Sequence, residues 1–206
     1  MALFDRLFGA RAEDHPESRL PADRQAAVDG SSSAHEAARL LRAPTALMQL
    51  SEAEALAVVG FMRPKRLKTG TTIIRQGETA DTGYMVLVLE GEITVETLIA
   101  RRVDPVTVTV LGPGSLIGEM ALVDGAARSA SCTASTDVVC AVLTREALEA
   151  LIAEQPATAA KLMTAVAQRL AERLRDSGHK LQIYSQLVQT MQQEIDKLMP
   201  TPDRRR

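Results

Sequence analysis

The residues best equipped for chemistry lie in one run, Gly118-Glu119-Met120-Ala121-Leu122-Val123-Asp124-Gly125-Ala126-Ala127-Arg128-Ser129-Ala130. A Gly112-Pro113-Gly114 loop comes just before it, and the run leaves room for only about one turn of helix. A helix N-terminus presents free N–H groups, which suit an anion. Arg128 follows Glu119 by nine residues, where the pattern places the start of a strand, and its guanidinium can offer a fork to the same anion. Glu119 is an acceptor and would repel a phosphate, so it calls for a neighbouring donor such as a sugar hydroxyl. Carboxylate, guanidinium and helix N-terminus together describe a site for a ribose phosphate.

The rest of the chain must position that run. Its 206 residues, 46% of them hydrophobic, suffice for one ordinary core plus extra segments. A net charge of −2 gives no sign of a protein that coats nucleic acid. Three Phe, two Tyr and no Trp leave little for stacking on bases. There is no apolar run of bilayer length and no signal-peptide h-region, so a cytoplasmic protein is expected. Cys132 and Cys140 read as buried free thiols rather than a disulfide or metal site. His15, His35 and His179 have no partners at catalytic or metal spacing, so no catalytic residue or metal ligand is assigned and an enzyme is not expected.

Four segments follow. Residues 1–34 read as a flexible arm: Leu3, Phe4, Leu7 and Phe8 give residues 1–9 an amphipathic tip, and Gly30-Ser31-Ser32-Ser33 reads as a linker. The tip could dock on a partner, touch a membrane or fold back on its own domain. Residues 35–155 hold the core. Leu40, Leu41, Leu47, Leu50, Leu56, Val59 and Met62 form a helical face, with a capping box at Ser51-Glu52-Ala53-Glu54 and a stop at Pro64. A period of two then predicts strands over 71–75, 84–89, 92–98, 106–111, 128–134 and 138–143. Short strands and glycine turns in this density imply an antiparallel sandwich or roll, hence an α+β chain. Residues 156–199 read as one long helix starting at Pro156, and residues 200–206 as a basic tail.

The run 118–130 resembles the phosphate-binding cassette of cyclic-nucleotide-binding domains, as in protein kinase A regulatory subunits and catabolite activator protein. Gly-Glu-hydrophobic-Ala-Leu, a Gly six after the Glu, and Arg-Ser-Ala at the end all fall in place. The resemblance covers roughly residues 45–178 and includes the turns at Arg75-Gln76-Gly77-Glu78 and Glu90-Gly91-Glu92. It implies a jelly-roll-like antiparallel β-roll flanked by helices, and cAMP or cGMP as ligand. Glu119 would take the ribose 2′-hydroxyl and Arg128 the cyclic phosphate. Gly118 would admit the sugar, Ser129 would contact phosphate or base, and backbone N–H groups near Ala121 and Leu122 would complete the anion site. Met120 and Ala130 fill out the cassette, and Arg173, Leu174 and Ser177 are the candidate base contacts. Two departures are visible: Ala127 replaces a common Pro, and the strand between Asp81 and Gly91 is about two residues longer than usual, which predicts a bulge.

Positions 163, 167, 170, 174, 177, 181, 184, 188, 191, 195 and 198 alternate steps of four and three and are mostly apolar, which is a heptad seam. A parallel coiled-coil homodimer is expected, with a joint at Ser177-Gly178. The 28 residues after Gly178 are too few for the helix-turn-helix domain of catabolite activator protein, so no DNA partner is expected. The expected function is a cyclic-nucleotide sensor that signals to an effector protein. A nucleotide-free dimeric scaffold is the alternative, and a transcription regulator ranks behind both.

Overall fold

The computed structural model describes residues 21–44, 46–47, 49–97 and 106–198. The tip at 1–9, most of the arm, residue 199 and the tail at 200–206 lie outside these residues. Among the described residues, three helices come first: α1 (Pro21–Asp29), α2 (Ser32–Leu41) and α3 (Glu52–Val59). Residues 21–29 and 32–34, expected to belong to a flexible arm, are helical instead. Ser31 is no spacer: its hydroxyl accepts from Ala34 N at 3.2 Å and caps α2. Arg24 and Val28 of α1 are buried, so the segment is held by packing that local composition does not reveal. The capping box at Ser51 and Glu54 forms as expected. Its helix ends at Gly60, however, before Pro64 can act.

Among the described residues, eight strands build two four-stranded antiparallel sheets. One has the order β1-β8-β3-β6, from Arg63–Leu67, Val138–Thr144, Tyr84–Glu90 and Leu116–Ile117. The other has the order β2-β7-β4-β5, from Thr72–Ile74, Ser131–Ala134, Ile93–Thr97 and Val106–Leu111. Two strands carried no signal. β1 holds Arg63-Pro64-Lys65-Arg66, without apolar alternation, and lies at a sheet edge where Pro is tolerated. β6 is only two residues long. The pairing of β3 with β8 shifts register between Val88 and Glu90, which is the expected bulge.

Leu67, Ile74, Val86, Val88, Ile93, Ile117, Cys132, Ala134, Val138 and Cys140 form the core between the sheets. β3 is buried from Met85 to Leu89 on both faces, because α2 also packs against it. Both cysteines are buried and form no disulfide. Burial pushes the Cys140 thiol up to about 12, with Lys65 opposing, so it is inert at neutral pH.

Helix α4 (Glu119–Asp124) interrupts the strands, and α5 (Arg145–Glu154) and α6 (Pro156–Leu198) close the chain. The architecture is therefore an α+β roll with a long C-terminal helix. Two units divide the chain between Val166 and Ala167. In the first, α6 buries Ala159, Leu162, Ala165 and Val166. In the second, it is exposed from Glu172 to Leu198. The joint expected at Ser177-Gly178 does not break the helix. Ser177 Oγ donates to Arg173 O at 2.8 Å, and α6 runs through Gly178 unbroken.

Candidate functional site

The site begins with a backbone that only glycine can supply. Gly118 is the N-cap of α4 at φ 79°, in the left-handed region. A Cβ there would lie 2.7 Å from Arg128 Nη1 and 3.0 Å from Tyr84 O. The close approach of those two groups is what the missing side chain permits. Glu119, the first residue of α4, is 1% exposed. Gly125 ends α4 at φ 66°, and Asp124 Oδ1 accepts from Ala126 N at 2.9 Å to form the turn towards Arg128.

Arg128 is 4% exposed. Its Nη1 donates to Gly118 O at 3.0 Å and its Nη2 to Tyr84 O at 3.1 Å. The guanidinium carbon lies 4.2 Å from the centroid of the Tyr84 ring. Nε is buried without a hydrogen-bond partner, and no ion pair reaches Arg128 among the described residues. A cation held by two carbonyls and a ring, with donor capacity left over, has room for an anion. Arg128 does not open a strand, as its sequence position suggested; β7 starts at Ser131.

Two backbone bonds fix its place instead. Gly77 N donates to Arg128 O at 2.9 Å, and Arg128 N donates to Glu78 O at 3.0 Å. The Arg75-Gln76-Gly77-Glu78 turn, set by Gly77 at φ 80°, thus clamps the cassette arginine from both sides. Ser131 Oγ accepts from Gln76 N at 3.0 Å and extends the clamp.

The other cassette residues divide by environment. Ala121 and Leu122 are buried, and Leu122 N points to Gly118 O at 3.4 Å within the helix, so this N–H is not free for an anion as expected. Met120 is 43% exposed, Ser129 is exposed and Ala130 half-buried. Arg173, Leu174 and Ser177, the candidate base contacts, lie in the second unit and are exposed.

Two site residues carry no signature in the sequence. By its pattern Tyr84 is one more strand residue. Its hydroxyl donates to Ile73 O at 2.6 Å, and burial raises its pKa while nearby Arg128 opposes the shift. Arg145 opens α5, where its Nη2 donates to Ala121 O at 3.1 Å and its N to Gly83 O at 2.7 Å, bracing α4 against the start of β3. Neither residue lies inside a spacing motif, so only the tertiary fold reveals them. Among the described residues, no group of three His, Cys, Asp or Glu could hold a metal ion.

An antiparallel roll that carries a glycine-capped turn of helix, a buried carboxylate and a buried arginine defines a class of anion-binding regulatory domain. Residues 64–155 match the family model of the cyclic nucleotide-binding domain, and that part of the chain is such a domain. The cyclic AMP receptor protein of Thermus thermophilus is 33% identical over 124 residues, which is 60% of this chain and 56% of that protein. A cyclic nucleotide-gated potassium channel of Rhizobium etli is 35% identical over 100 residues, 48% of this chain but 26% of the channel. The chain thus spans between about a quarter and just over half the length of these relatives. Among solved structures, a cyclic nucleotide-binding domain from Methylobacillus flagellatus superposes with a TM-score of 0.62 at 28% identity, covering 73% of this chain and 83% of that one. The Thermus thermophilus catabolite activator protein gives 0.58 at 31% identity, covering 66% and 61%.

Proposed function

We propose that this chain is a sensor of cAMP or cGMP that passes the binding signal to a partner protein through rearrangement of a dimeric α6. The observation that carries the reading is Arg128: a buried guanidinium with no ion-pair partner among the described residues and an unbonded Nε. Burying a cation without a counter-ion costs several kcal/mol. A cyclic phosphate would supply the counter-ion, and Glu119 would take the ribose 2′-hydroxyl. cAMP is the first candidate, and it gives its name to the Thermus receptor. The role is binding, not catalysis, and a cytoplasmic location suits it.

A thermal-shift panel with cAMP, cGMP and cyclic di-GMP tests the reading. A ligand at a hundredfold its Kd adds about 2.7 kcal/mol of stability. No shift with any of the three would favour a nucleotide-free scaffold. One observation speaks for that second reading: the two carbonyls and the Tyr84 ring already serve part of the guanidinium without a ligand.

Dimerisation rests on the second unit, where Leu174, Leu181, Tyr184, Val188, Met191, Ile195 and Leu198 are all exposed at heptad spacing. A second copy of α6 would cover them. Residues 156–199 would then act as the dimerisation helix and residues 35–155 as the nucleotide domain. Val188→Glu should convert a dimer to a monomer by light scattering; a mass unchanged by the substitution, or monomeric from the start, would remove this part. The effector, on this reading, is a protein and not DNA. Membrane contact by residues 1–9 forms no part of it.

A further inference from the structure

We propose that Tyr84 is a positioning residue of the nucleotide site: its ring and its carbonyl hold the Arg128 guanidinium in place before any ligand arrives. The inference rests on reading the cassette as a cyclic-nucleotide site, and it adds a residue outside that cassette.

The geometry gives Tyr84 two grips on one cation. Its carbonyl accepts from Arg128 Nη2 at 3.1 Å, and its ring lies 4.2 Å from the guanidinium carbon. Gly118 O takes Nη1 at 3.0 Å from the other side. The platform is itself fixed. The Tyr84 hydroxyl donates to Ile73 O at 2.6 Å, Tyr84 N donates to Thr82 O at 2.8 Å, and Tyr84 pairs with Thr144 of β8. Tyr84 thereby ties the ring to the sheet that carries β2 and the backbone to the sheet that carries β8.

These contacts leave Nε buried and unbonded. An arginine free in solution loses much rotamer freedom when it clasps an anion. One already confined by a ring and two carbonyls has lost that freedom on folding, so less remains to oppose binding. The ring also excludes water from one face of the cation, which strengthens its attraction for a charged ligand. Tyr84 therefore sets affinity without needing to touch the nucleotide.

Isothermal titration of the full chain with cAMP tests this. Tyr84→Leu should weaken binding about tenfold, and Tyr84→Phe, which keeps the ring, should recover most of the loss. In an Arg128→Lys background the effect of Tyr84→Leu should fall below about threefold, because an ammonium has no planar fork to aim. Wild-type affinity in Tyr84→Leu, or an equal loss in both backgrounds, would overturn the proposal while leaving the sensor reading intact. A wild-type chain that binds no cyclic nucleotide would end both. A second measurement needs no ligand. In Tyr184→Phe, Tyr84 is the sole tyrosine of a chain without Trp, so its emission reports on the platform alone. Adding Arg128→Leu should change that emission in the ligand-free chain, because the cation leaves the ring, and an unchanged emission overturns the proposal.

Discussion

Two arginines, Arg24 in the α1 corner and Arg128 in the cassette, are buried to the same degree and stacked at the same distance on an aromatic ring. Each is 4% exposed, and each lies 4.2 Å from a ring centroid, Phe61 for Arg24 and Tyr84 for Arg128. Arg24 forms an ion pair with Glu154, just before α6 begins. Arg128 donates to two carbonyl oxygens, has no ion-pair partner among the described residues and keeps an unbonded Nε. Burial and stacking are thus shared by both, and the counter-ion is what separates them. The paired arginine fastens one helix to another, whereas the unpaired one is available to a ligand.

The largest effect should come from breaking this contrast at Arg128. Arg128→Leu is expected to weaken cyclic-nucleotide binding at least about a hundredfold by titration calorimetry, since a charge-assisted fork is lost, while the far-ultraviolet spectrum stays unchanged. Retained affinity would remove Arg128 from the site. Next, Arg24→Leu should cost about 2 kcal/mol in urea unfolding, because Glu154 is left partly buried without its partner. Its nucleotide affinity should stay within about threefold of wild type, and a larger loss would join the two corners functionally. The smallest effect concerns an exposed pair, Glu54 with Lys161. The Lys161 ammonium, then the Ser51 N–H, hold the Glu54 carboxyl down at about 2 against the usual 4.5. A depressed carboxyl stabilises the fold above pH 4.5, and that contribution fades as pH falls towards 2. Glu54→Gln should therefore lower the urea midpoint slightly at pH 7 and converge with wild type near pH 2; a constant gap across that range would refute the assignment.

Legibility in the sequence followed the range of the forces involved. The cassette was readable because Gly118, Glu119, Gly125 and Arg128 obey local demands of turn, cap and spacing. The bulge near Leu89 was readable as a strand about two residues longer than the resembled family has. What escaped depends on long-range pairing. Tyr84 and Arg128 are 44 residues apart, and Arg24 and Glu154 are 130 apart. No periodicity records such meetings. The helices at 21–34 were misread for the same reason, since serine and glycine mark a linker only when nothing packs against them. β1 hid behind basic residues at a sheet edge, where alternation has no core to face on one side.

The backbone clamp between Gly77, Glu78 and Arg128 also bears on which changes the cassette can accept. Ala126 and Ala127 are exposed, so their side chains can be exchanged freely. The number of residues between Asp124 and Arg128 has no such freedom. One inserted residue would draw Arg128 off both carbonyls and off the Tyr84 ring together, while the strands on either side kept their register. In this loop, then, a change of length should abolish the site where a change of letter at 126 or 127 would pass unnoticed.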